Sequence, residues 1–165
     1  MTITYLKGDA TRFNRHVGEK YLIHVCNNRG GWGSGFVLEL SRHWAQPEDS
    51  YREWFKAKNH LFWGSFELGA IQIINVAPQL SVVNMIAQEG YKTKSTPPDA
   101  KPPIRYDALG ECLKKVAISA KPLGASIHGP RFGAGLAGGR WAEIEPLINA
   151  AFQPPFAAPV YIYDL

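Results

Sequence analysis

The chain has 165 residues, 45% hydrophobic and 19% charged, which fits one domain, residues 1–165, with a substantial core and leaves little room for a second. Its formal charge of +4 suits an anionic ligand and falls well short of a polybasic nucleic-acid tail. No apolar run reaches the roughly 18 residues of a membrane helix and the first residues lack a signal-peptide pattern, so a cytoplasmic monomer with no membrane partner is expected.

The first β-branched, apolar run covers residues 3–6 and is followed by Gly8-Asp9-Ala10-Thr11. The second, residues 21–26, is apolar at nearly every position except His24, the pattern of a central strand covered on both faces. A glycine-rich loop over residues 27–35 precedes a helix carrying Val37, Leu38, Leu40 and Trp44, and a short helix over 51–58 is expected after Pro47. Runs at 70–76 and 81–86 are joined by Ala77-Pro78-Gln79-Leu80, too short for a crossover helix, so this pair is antiparallel.

Residues 91–105 hold four prolines and four basic residues with no hydrophobic period, and read as a long loop that is either functional or a solvated connector. Leu109, Cys112, Leu113 and Val116 then fall at helical spacing. A strand at 123–128 leads into a second glycine-rich loop over 129–139. Trp141, Ile144, Ile148, Ala151 and Phe152 form a last helical stripe, with Pro146 in its first turn or at a kink, before a strand at 160–163. The alternation predicts an α/β fold: a three-layer helix/sheet/helix sandwich around a mixed, mostly parallel sheet of about six strands. Cys26 and Cys112 have no C-x-x-C or zinc spacing around them and are expected as free thiols.

The two loops carry the strongest chemical signal. Each follows an apolar strand and precedes a helix, and glycine lets backbone N–H groups approach phosphate oxygens at a helix N-terminus. At the carboxyl ends of neighbouring parallel strands they would converge on one crevice that holds a diphosphate. Gly133-Ala134-Gly135-Leu136-Ala137-Gly138 matches G-x-G-x-x-G, but a dinucleotide fingerprint opens its domain whereas this one lies near the end. Neither loop has the G-K-[ST] ending of a P-loop. The five histidines are scattered without ligand spacing, so neither a metal nor a cofactor is expected.

Read in order, Gly8-Asp9-Ala10-Thr11, the run His24 to Asn27 with Trp32-Gly33-Ser34-Gly35, and Gly133 to Gly138 with Gly139-Arg140-Trp141 resemble the macro domain family of ADP-ribose-binding proteins over essentially the whole chain. Within it the chain is most similar to the branch of the yeast-type ADP-ribose 1″-phosphate phosphatase and the terminal ADP-ribose glycohydrolases. The resemblance implies that Asp9 and Ala10 meet adenine, that Asn27, Gly33, Ser34 and Gly35 surround the distal ribose, and that Gly133, Ala134, Gly135, Leu136 and Ala137 hold the diphosphate; Arg131 and Phe132 are also expected at the ligand, Phe132 stacked on a ribose or base. It implies ADP-ribose or a derivative as ligand, free or on an ADP-ribosylated macromolecule.

Two functions stay open. One is a phosphatase or related hydrolase acting at the 1″ position, with His24 and Asn27 as catalytic residues; the other is a non-catalytic ADP-ribose binding module. The glycohydrolases of the branch carry a lysine where this chain has Gln88 and an acid where it reads Leu136-Ala137-Gly138. Glutamine forms no Schiff base and is no base, so lysine-dependent chemistry is not expected.

Overall fold

The structure is a computed structural model that describes residues 3–12 and 16–165. Its strands are β1 (Ile3–Lys7), β2 (Lys20–Asn27), β3 (Asn59–His60), β4 (Gly64–Ser65), β5 (Ile71–Ala77), β6 (Leu80–Gln88), β7 (Ser126–Gly129) and β8 (Val160–Asp164), and its helices α1 (Phe36–His43), α2 (Gln46–Ala57), α3 (Tyr106–Ala120) and α4 (Trp141–Ala151). Six strands make one sheet in the order β1-β8-β7-β2-β6-β5. Every neighbouring pair is parallel except β5 and β6. The expected mixed sandwich is therefore present, with β2 in its interior.

Side-chain alternation along the strands divides the core into two layers. Ile23, Val83, Met85, Ile127 and Ile162 pack with Leu109, Cys112, Leu113 and Val116 of α3 and Ile144 and Ile148 of α4. On the opposite face Leu22, Cys26, Val82 and Ile86 pack with Val37 and Leu40 of α1 and Tyr51 and Trp54 of α2. Both cysteines are buried and free, and burial raises the Cys112 thiol to about 12 and lifts Cys26 well above its ordinary value. Among the described residues no helix is long and apolar enough to cross a membrane.

Several boundaries differ from the sequence expectation. Residues 121–123 form one 3-10 turn ending at Gly124 in the left-handed region, φ 61°, so β7 begins only at Ser126. Helix α2 starts at Gln46 rather than after Pro47, because a proline in the first helical turn removes no hydrogen bond. Pro146 lies within α4 beyond its first turn, leaving the Ala142 carbonyl without its usual donor. The hairpin of β3 and β4, each strand only two residues long, is too short to leave a periodic signal.

The proline-rich segment is not a free connector along its whole length. Its second half returns along the end of β6, where Ile104 bridges Gln88 and the amides of Glu89 and Arg105 donate to the Pro103 and Ala87 carbonyls. Ile104 is buried, and its amide donates to the Ala137 carbonyl at 3.1 Å. The segment thereby backs the second glycine loop.

Candidate functional site

Because β2 and β7 are adjacent and parallel, the loops leaving their carboxyl ends lie side by side. Between them opens a crevice of about 840 Å3 whose wall includes Asn27, Gly33, Ser34 and Gly35 on one side and Arg131, Phe132, Gly133, Gly135, Leu136 and Ala137 on the other. Among the described residues the backbone N–H groups of Gly33, Ser34, Gly35, Gly133, Gly135, Leu136 and Ala137 take no protein acceptor. These uncommitted donors thus belong to residues on both walls of one cleft. Gly35 caps α1 with φ 85°, a conformation that glycine adopts without strain. Leu136 packs so closely on it that a Cβ there would stand 3.1 Å from Leu136 Cδ1. The loops thus meet over the cleft.

Loop one is braced from α2. Asn27 Oδ1 accepts from the amides of Arg29 and Gly31 at 2.9 and 3.1 Å, and its Nδ2 donates to the Gly31 carbonyl at 2.8 Å. The buried Tyr51 hydroxyl donates to the Asn27 carbonyl at 2.6 Å and accepts from Gly30 N–H at 3.1 Å. Burial raises this phenol, so it stays protonated as the donor. The Trp32 indole donates to Ser41 Oγ at 2.8 Å. Asn27 is therefore first a loop clamp, with one Nδ2 proton left for a ligand.

Loop two is held by its own backbone: the amides of Gly138 and Gly139 donate to the carbonyls of Gly135 and Gly133 at 2.9 and 2.8 Å. A Cβ on Gly139 would overlap the Gly133 oxygen, whereas one on Gly135 would meet nothing within 4 Å. The first glycine serves the loop's shape and the second the open cleft.

His24 reaches the edge of the crevice but is only 1% exposed. Its Nε2 lies 2.5 Å from Asn84 Oδ1, while Asn84 Nδ2 donates to Pro47 O at 3.1 Å and Gln72 Oε1 at 3.0 Å. With the Asn84 amide so oriented, its oxygen is an acceptor and His24 carries the proton on Nε2. Gln72 Nε2 closes the series on the Ser50 carbonyl at 2.9 Å. A polar ladder therefore crosses β2, β6 and β5 beneath α2, at the register His24, Asn84, Gln72.

Burial lowers His24 to about 4, although Asn84 pulls the other way. Burial first, then the nearby His16 and Lys20 charges, lowers His128 to about 3. Unfolded imidazoles titrate near 6.5, so as pH falls through that value the unfolded chain binds protons that the fold refuses. Stability then drops with falling pH until the folded value is reached. His24 alone should contribute roughly 3 kcal/mol of loss between pH ~6.5 and ~4. Urea midpoints across this window should fall, and the His24 ring resonances should show no titration above pH ~5; a midpoint near 6.5 would contradict the ladder.

The remaining expected residues fall into two groups. Asp9, Ala10 and Ala134 do not line the crevice. Asp9 stands at the carboxyl edge of β1, where burial would raise its carboxyl but the Thr11 hydroxyl and amide, at 2.7 and 2.8 Å, and the Arg12 charge hold it below its ordinary value. Asp9, Glu39 and His43 bring one ligand atom each within 4.8 Å of one another, but Glu39 is paired with Arg42 and His43 meets the Thr11 hydroxyl. Arg131 and Phe132 do line the crevice, but with their chemistry turned elsewhere. The Arg131 guanidinium is bidentate to Asp164 at 2.7 and 3.1 Å, and Phe132 is 4% exposed with its ring edge-on to Trp141.

Arg52, Gln88, Tyr91 and Lys92 also form the wall, beyond the set read from sequence. Gln88 Nε2 donates to the Gly90 carbonyl at 2.9 Å. The signal that could have found Gln88, Tyr91 and Lys92 is the end of β6 running level with the end of β2, Asn27 against Gln88, whereas Arg52 reaches the wall from α2.

No family model matches the chain. It is 44% identical to a macrodomain protein from Streptomyces coelicolor whose solved structure superposes with a TM-score of 0.83, covering 99% of this chain and 99% of that one. It is 21% identical to the ADP-ribose 1″-phosphate phosphatase of Lodderomyces elongisporus over 99% of this chain and all of that protein. The solved structure of Thermosipho africanus DarTG in complex with ADP-ribose shares the fold at 17% identity and a TM-score of 0.71, over 98% of this chain and 41% of that one. The chain spans only 18% of the mouse chromodomain-helicase-DNA-binding protein 1-like, to which it is 26% identical over 98% of its own length.

Proposed function

The chain belongs to the macro domain family, and from that premise we propose that it binds ADP-ribose between its two glycine loops and hydrolyses a substituent on C1″ of the distal ribose. The observation that supports the reading is the set of uncommitted N–H groups on residues lining both walls of one crevice of about 840 Å3, where a diphosphate with a ribose at either end would lie. The adenine would extend toward the same carboxyl edge, where the ionised Asp9 accepts from its amino group and Ala10 packs beside it. Gly133, Ala134, Gly135, Leu136 and Ala137 would enclose the diphosphate, with Arg131 and Phe132 holding that loop in shape. Asn27, Gly33, Ser34 and Gly35 would hold the distal ribose.

In the hydrolytic reading water attacks the phosphorus of a 1″-phosphate, the bond to O1″ breaks, the leaving oxygen takes a proton, and ADP-ribose and inorganic phosphate separate. Backbone N–H groups aimed at the phosphoryl oxygens would stabilise the developing charge. Asn27 supplies its remaining Nδ2 proton to the ribose, and His24 acts by positioning, since its Nε2 proton is committed to Asn84. That same commitment favours the second reading, a binding module without turnover.

A panel of ADP-ribose 1″-phosphate, an ADP-ribosylated glutamyl peptide and an oligonucleotide bearing ADP-ribose on a terminal phosphate separates the two. Release of phosphate, peptide or oligonucleotide supports hydrolysis. Saturable ADP-ribose binding with no release from any of the three supports the binding module.

A further inference from the structure

We propose that the rim built by Arg52 and Lys92 beside Tyr91 is a subsite for a phosphoryl group carried on C1″ of the ligand, so that phosphoryl-linked substrates are preferred over carboxylate esters. The inference rests on the ADP-ribose reading and deepens it.

Arg52 projects from α2 to the rim of the crevice, where its Nη1 donates to the Gly30 carbonyl at 3.2 Å and its Nε to Glu48 Oε2 at 2.9 Å. A guanidinium has five N–H donors in a fixed fork, so three stay free, on a side chain already held in place from both sides. Lys92 enters the same wall from the segment after β6 and makes no ion pair among the described residues. Between them the Tyr91 ring lies on Gly31, where a Cβ would stand 2.9 Å from Tyr91 Cε1. The Arg29 guanidinium rests against Gly90, one residue from Tyr91, and likewise makes no ion pair among the described residues.

Acidic groups nearby are already engaged. Glu48 is bound by Arg52 and by the Ser41 hydroxyl, and Glu89 by the Asn28 amide. Arg52, Lys92 and the neighbouring Arg29 thus stand against Glu48 and Glu89, three positive charges to two negative, which leaves one in excess at the Asn27 end of the cleft. The diphosphate has its own backbone donors further along, between the two loops. What remains for the rim is a second anion beyond the distal ribose, and a phosphoryl group matches a guanidinium fork and an ammonium. An ester-linked carboxyl group brings no charge to that position.

The test is the ratio of dissociation constants for ADP-ribose and ADP-ribose 1″-phosphate, measured by competition against labelled ADP-ribose. Wild-type protein should prefer the 1″-phosphate by about tenfold or more, and Arg52→Gln with Lys92→Gln should collapse that preference. Because Arg52 also holds Gly30, the single variant Lys92→Gln is measured too and should lower the ratio by about threefold. An unchanged ratio in both variants, or a wild-type ratio near one, overturns the subsite. A third arm uses an oligonucleotide bearing ADP-ribose on its terminal phosphate. The ligand that the double variant weakens more, free 1″-phosphate or oligonucleotide, identifies the source of the phosphoryl group. Failure of wild-type protein to bind ADP-ribose at all would overturn the underlying reading, and is read separately from the ratio.

Discussion

Gly135→Val is expected to weaken ADP-ribose binding by about 100-fold while leaving thermal stability close to that of the parent. A Cβ at Gly135, which lines the crevice, meets nothing within 4 Å, so the fold has nothing to displace. The ligand does: the added methyl groups hold a diphosphate away from the N–H groups of Gly135, Leu136 and Ala137. Losing two charge-assisted hydrogen bonds at roughly 1.5 kcal/mol each gives about two orders of magnitude. Gly139→Ala is the opposite control. Its Cβ would overlap the Gly133 oxygen, so it should lower the melting temperature as well as affinity. Calorimetric titration with ADP-ribose alongside thermal unfolding distinguishes the two, and Gly135→Val with parental affinity would refute the diphosphate site.

The largest stability effect is expected from Asn84→Ala. The Asn84 side chain meets three partners, His24 Nε2, Pro47 O and Gln72 Oε1, and is fully buried. Truncation strands all of them away from water at roughly 1 to 3 kcal/mol per unsatisfied group, so a loss of about 4 kcal/mol follows. For a chain of 165 residues that corresponds to a melting temperature lower by about 8 to 16 °C. The ladder also seats the first turns of α2, whose Tyr51 holds Asn27 and Gly30. Affinity should therefore fall with stability. A shift of only one or two degrees would mean that the ladder is not the support described above.

What was legible from sequence was what is local. Glycines at 35 and 133, both at positive φ, announce loops that only glycine forms easily, and apolar runs before them announce parallel strands. Together these predicted both the sandwich and the shared crevice. The ladder was hidden because His24, Gln72 and Asn84 are far apart in sequence and become neighbours only through strand register. Read alone, His24 in an apolar strand beside a ribose loop suggested a proton carrier; its partner, 60 residues away, takes the Nε2 proton, which supports a positioning role instead. Arg52 was missed for a similar reason. Its pairing with Glu48 four residues before it is the ordinary mark of a solvated helix face, and only the packing of α2 beneath loop one brings it to the crevice.

The most direct measurement is a backbone-amide NMR titration of the wild-type protein with ADP-ribose. The account predicts saturable shifts concentrated on the amides of Gly33, Ser34 and Gly35 and of Gly133, Gly135, Leu136 and Ala137, moving together with one dissociation constant. Saturation confined to a single loop, or shifts that leave both loops unmoved, would contradict it.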